Sequence, residues 1–246
     1  GRHGGKTGVD LQLEMKTPRV TAFTLLEVLV VIGLIAGLSF LLLRALGGGK
    51  TMTLPTGQTM LANLITAART RAPATAHKTR LLINADPLQE DRYLRFLVLQ
   101  VGRQPGASPA DWDTSLVVRL PDGVYVVPPG LTGLVANPAE WKRVSDPGAD
   151  LVSDLFENQS LVYQMDGDSA EQRWLGVAFT SNSTLAALVS GPPPKGTIVL
   201  AQGRVRAPGS FAEGQPPVEL LNPHNVRGLI LSAYGVPALL PDRSAF

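Results

Sequence analysis

From Phe23 to Leu43 the chain runs through twenty-one residues with a single ionisable side chain, Glu27, and the next charge is Arg44. A helix of that length spans roughly 30 Å at about 1.5 Å per residue, the hydrocarbon thickness of a bilayer. Lys16 and Arg19 stand just ahead of it. The positive-inside rule puts that end in the cytoplasm and everything after the span on the far side of the membrane. A cleaved secretory signal fits poorly, because its apolar core is about 7–15 residues long. Nor does a small-x-small cleavage site follow, since the run ends in Arg44-Ala45-Leu46-Gly47.

Apolar length does not account for the acid. A carboxylate in the membrane interior costs about 2.5–3.5 kcal/mol on insertion scales, so Glu27 requires a partner. The run Ala22-Phe23-Thr24-Leu25-Leu26-Glu27, continuing as VLVVIGLIAGL, resembles the N-terminal segment of type IV prepilins and type II secretion pseudopilins. The resemblance implies cleavage by a prepilin peptidase between Ala22 and Phe23, N-methylation of Phe23, and retention of Glu27 one helical turn on. The new amine of Phe23 and the Glu27 carboxylate of a neighbouring subunit would then form an ion pair inside an apolar filament core. Each charge alone is costly there and the pair is tolerable. Two positions depart from the family pattern. Ala22 stands where Gly is usual, which keeps a small residue, and Arg44 stands where many pilins have a kinking proline. Gly33 and Gly37 form a GxxxG step that permits close helix packing. The competing expectation is a plain membrane-anchored domain in which Glu27 snorkels to the interface.

The family implies further partners: other pilin or pseudopilin subunits, an inner-membrane assembly platform, and the lipid bilayer before assembly. It also implies a location, the bacterial inner membrane, single-pass, with the N-terminus cytoplasmic and the C-terminal domain periplasmic. Residues 1–22 read as a basic leader, with Met15 the expected natural start. Arg2, Lys6, Lys16 and Arg19 against Asp10 and Glu14 account for the whole net charge of +2, so the rest is formally neutral. Nucleic acid is not an expected partner of such a chain. With no cysteine, disulfide frameworks, thiolate metal sites and cysteine nucleophiles are excluded. The 246 residues suffice for one span and one domain with an aliphatic core, aromatic residues being 6%.

After the span, residues 23–46, a Gly-rich break is expected over 47–57, because each of Gly47, Gly48 and Gly49 costs about 1 kcal/mol inside a helix. The GGGKT there is no phosphate loop: Arg44 holds the position where the motif needs Gly, and no strand precedes it. Met60, Leu61, Leu64, Ile65 and Ala68 then form one apolar stripe, predicting an amphipathic stem helix over 58–72, with Thr56 as N-cap and Pro73 as terminator. The stretch Leu64 to Arg69 is similar to H-type minor pseudopilins. From residue 79 to 246 the periodicity turns strand-like. Strands are predicted at 79–84, 93–101, 115–120, 124–127, 161–165, 174–180, 197–202, 226–232 and 235–240. A loop is predicted over 102–114, and turns with short helices over 128–159. The fold class is therefore α+β: a long N-terminal helix, half transmembrane and half amphipathic, packed on a mostly antiparallel β domain, as in pilins.

No residues converge on catalysis, and no enzymatic activity or cofactor is expected. His3, His77 and His224 have no ligand-spaced partners. Asp166-Gly167-Asp168 with Glu171 falls short of an EF-hand, whose closing Glu would stand at Val177. Arg204, Arg206, Arg227 and Arg243 lend basic character to the last third. They are the residues on which an alternative role, a DNA-uptake minor pilin, would rest. A membrane-anchored periplasmic hydrolase is the third alternative, with no motif in its favour.

Overall fold

The computed structural model describes residues 53–104, 111–207, 209–211 and 215–246, and Ile32 besides. The chain divides into two units, 1–48 and 49–246, and the architecture is that of the second. The leader, the span apart from Ile32, and residues 47–52 of the expected break lie outside the described residues.

Helix α1 covers Thr53–Thr75. It begins inside the stretch expected to be a break, so Thr56 is an internal residue, and it runs past Pro73. Pro73 has no N–H for the Arg69 carbonyl one turn back, and the Ser183 hydroxyl donates to that carbonyl instead, at 3.1 Å. The stop comes at Ala76, which adopts left-handed backbone (φ 57°) and donates its N–H to Pro73 O, an αL cap built without glycine. Leu54, Gln58, Leu61, Leu64, Ile65, Ala68 and Ala72 are buried, one continuous stripe at helical spacing. On the other side Thr66, Thr70 and Thr75 return their hydroxyls to carbonyls four residues back, which satisfies β-branched residues that favour helix weakly.

Two antiparallel sheets receive the helix. The first has the order β3 (Trp112–Arg119), β2 (Phe96–Gly102), β1 (Thr79–Asn84), β6 (Gln172–Phe179), β5 (Ser160–Tyr163), with β7 (Leu185–Ala186) also paired to β6. The second has the order β11 (Pro237–Leu240), β10 (Val226–Leu231), β8 (Thr197–Val205), β4 (Val124–Val127), with β9 (Val218–Leu220) beside β8. Helix α1 touches β1, β2 and β6 of the first and β4, β8, β10 and β11 of the second. This is an α+β architecture with one long helix on antiparallel sheets, the general arrangement of pilin-like domains.

Strand β1 is buried along its whole length, as a central strand covered on both faces must be. Leu81 and Ile83 face the main core with Leu61, Ile65, Val177, Phe179, Val199 and Leu229. Leu82 faces the opposite side, where it joins Val98, Met165 and Trp174 in a second, smaller cluster. Gly176 makes that possible: a Cβ there would press on Leu81 O and the Leu82 side chain.

Several expected boundaries move. Tyr93, Leu94 and Arg95 are not strand, because Leu94 sits in left-handed backbone at φ 55°. In that conformation it donates its N–H to Asn84 O and accepts from Val126 N–H, both at 2.8 Å, stitching β1 to β4. Strand β3 starts at Trp112, inside the stretch expected to be loop. The connection 128–159 holds two short 3-10 turns, Pro138–Glu140 and Asp154–Phe156.

Candidate assembly surface

Ala22, Phe23, Glu27, Gly33 and Gly37, the residues on which the sequence concentrates function, lie outside the described residues. Among the described residues no helix is long and apolar enough to cross a membrane.

What the folded domain offers instead is a surface between α1 and the edge strand β3. Of the eight residues of β3 only Trp112 is buried; Leu116 and Val117 are 40% and 47% exposed. Leu116 and Val118 lie on the face toward the helix and Val117 on the opposite one, as alternate strand residues do. Register slips between Leu99↔Leu116 and Gln100↔Thr114, leaving Ser115 unpaired, and an extra residue bends and twists the strand that carries it. Between this strand and the helix runs an apolar groove of about 700 Å³, lined by Met60, Leu64, Ala67, Leu116 and Val118, with Pro55 and Asn63 along the helix. An edge strand presents unpaired backbone groups, which proteins ordinarily guard with charge. Here Arg103 and Asp113 pair at 2.7 Å at one end, and Arg119 stands at the other. The Thr114–Val118 stretch between them carries no charge. An open aliphatic edge beside an apolar groove is suited to protein–protein packing.

The remaining candidates are dispersed. Arg204 pairs with Glu219 at 2.8 Å. Arg206 donates to Gly133 O at 2.6 Å. Arg227 reaches the Gln58 side-chain oxygen at 3.4 Å. Arg243 donates to the carbonyls of Glu140 and Lys142, and lies 2.9 Å from the His224 ring. The four arginines thus serve different parts of the fold. His77 is half-buried beyond the helix end. Asp168 is held by Arg92 at 2.8 Å, and its loop is closed by Gln164 donating to Asp168 O. Among the described residues no three His, Asp or Glu side chains gather as a metal site.

Sequence reasoning did not find the groove, since an edge strand is recognised only once its neighbours are known. Leu116 and Val117 in succession were the available signal, because two adjacent strand residues point to opposite faces. Comparison with family models, curated proteins and solved structures finds no match for the chain.

Proposed function

We propose that the protein is a pilin-like assembly subunit, a minor pseudopilin or minor pilin that packs into a filament through its N-terminal helix. The observation that carries this is the helix α1 seated on antiparallel sheets, immediately downstream of the AFTLLE sequence and its apolar run. In this role a prepilin peptidase removes residues 1–22 and the amine of Phe23 is methylated. Glu27 of one subunit then neutralises the amine of the next in the filament core, where an unpaired charge is expensive. The bilayer holds the span before assembly, an inner-membrane platform delivers it, and the sheets lie in the periplasm. The work is mechanical rather than catalytic. The groove between α1 and β3 is the face on which the adjacent subunit of the filament seats, its uncharged edge being available for strand or side-chain contact.

Two measurements test this. Mass spectrometry of the mature chain should find methylated Phe23 as the first residue; an intact leader refutes the processing. Glu27→Ala should still insert in the membrane yet fail to assemble, and normal assembly of that variant would refute the ion-pair account.

A further inference from the structure

On the far side of the first sheet from α1 lies a feature that filament packing does not use. Among the described residues Arg80 is the one charged residue of the buried interior, 3% exposed. It occupies the middle strand β1, on the face shared with Leu82. Its guanidinium lies between two rings, Trp112 at 4.2 Å and Tyr163 at 4.7 Å, which come from the opposite edge strands β3 and β5. Nε donates to Gln100 Oε1 at 2.8 Å, directly across in register on β2. Nη2 is buried and finds no acceptor. None of the ion pairs among the described residues includes Arg80.

Burial of a cation without a carboxylate is costly. Its effect here is to pull the guanidinium down to about 10, against the neighbouring Tyr163, which raises it; the group still carries its charge at neutral pH. Stacking on two aromatic rings returns part of the cost but supplies no counter-charge.

Beside this guanidinium is a cavity of about 490 Å³, within the range of small-ligand sites of about 300–1,000 Å³. It exists because the row of residues across the sheet, Gln100–Arg80–Ala178–Ala186, ends in two alanines. Arg80 and Lys78 contribute two cations to its lining, while Leu161, Val162 and Leu188 contribute apolar wall and no carboxylate lines it. We propose that this cavity binds a carboxylate carried on a short apolar stem, the carboxylate accepting hydrogen bonds from Arg80 and the stem lying against the aliphatic wall. Guanidinium–carboxylate contacts are charge-assisted and directional, and a carboxylate supplies the counter-charge that none of the ion pairs among the described residues gives Arg80. A free short-chain acid and the C-terminus of an apolar peptide present this same chemistry. None of the cavity's lining residues belongs to α1, so the site stands or falls apart from the filament reading.

The test is calorimetric titration of the full chain in lipid nanodiscs with hexanoate, hexanamide, and acetyl-Val-Val-Leu bearing either a free or an amidated C-terminus. At least one acid should bind saturably, with its uncharged amide weaker by about tenfold or more. Hexanoate binding alone identifies a free acid; binding of the free-acid peptide alone identifies a peptide terminus. Arg80→Gln should abolish the preference for acid over amide. Ala187→Phe, which fills the cavity from a half-buried loop position and leaves the Arg80 side chain itself unaltered, should abolish binding while the melting transition is retained. Absence of saturable binding by both acids, or an acid preference that survives in Arg80→Gln, overturns the proposal.

Discussion

The side-chain amide of Gln58, buried on α1, donates to the backbone carbonyl of Gly228 at 2.6 Å. It donates also to Leu240 O at 2.8 Å, so one amide fastens the helix to both strands of the β10–β11 hairpin. Gln58→Leu keeps the bulk and strands two carbonyls with no donor from the helix. The expected loss is about 1–3 kcal/mol, read as a lower denaturation midpoint at unchanged slope. An unshifted midpoint would mean that these carbonyls find other donors.

Gly228 admits no side chain. A Cβ at that position would fall against the Ile198 carbonyl and the Phe246 ring. One of these is backbone in the paired strand β8 and cannot yield. Gly228→Ala is therefore expected to cost more than about 4 kcal/mol, among the largest single-site effects. Gly130→Ala, with nothing within 4 Å of the added carbon, should stay within about 0.5 kcal/mol of the parent. Thermal melting of the two variants side by side decides it.

Tyr93, 6% exposed, gives the fold an alkaline limit. Burial pushes its phenol up to about 12, against Arg173, which lowers it. The folded state thus holds the phenolic proton more tightly than the unfolded chain does. That contribution is whole below pH 10 or so and is lost as pH rises toward about 12. The stability of Tyr93→Phe relative to the parent should be constant up to about pH 10 and improve steadily above it. A difference that stays flat across that interval would exclude Tyr93 as the cause.

Replacing Arg80 by Met preserves length and apolar contact with Trp112 and Tyr163 while removing a buried charge. An apolar residue of similar volume in place of a poorly compensated buried ion is commonly neutral or stabilising. Arg80→Met is expected to melt no lower than the parent. A drop of several degrees would show that the guanidinium holds the sheet together.

Sequence pattern served well where a short apolar run is bounded on both sides by turn residues. The segments 79–84 and 124–127 have the bounds that their apolar runs predict, and the stem helix was legible from its stripe. Leu94 was not: it continues an apolar run, and only the hydrogen bonds to Asn84 and Val126 hold it in left-handed backbone. The three residues of β9 lie among prolines that mask their pairing with β8. The burial of Arg80 is not legible either: it precedes the apolar run Leu81-Leu82-Ile83, and the rings that cover it, Trp112 and Tyr163, come from the two edge strands. The groove joins the helix to an edge strand and the Arg80 cavity joins several strands, so neither is placed by its local sequence alone. The AFTLLE motif is the reverse case, a signature that is wholly local.

The route by which α1 is covered has a kinetic consequence. Its buried stripe rests partly on β8, β10 and β11, and Gln58 and Leu240 are 182 positions apart. A ribosome delivering this chain releases the helix long before the strands that shield it, so that a nascent chain reaching only Leu220 still lacks the hairpin that Gln58 grips. Pairings of such sequence separation form slowly, and apolar surface left open meanwhile invites aggregation. Until its last strands arrive, the buried stripe of the helix lacks the part of its cover that β10 and β11 supply.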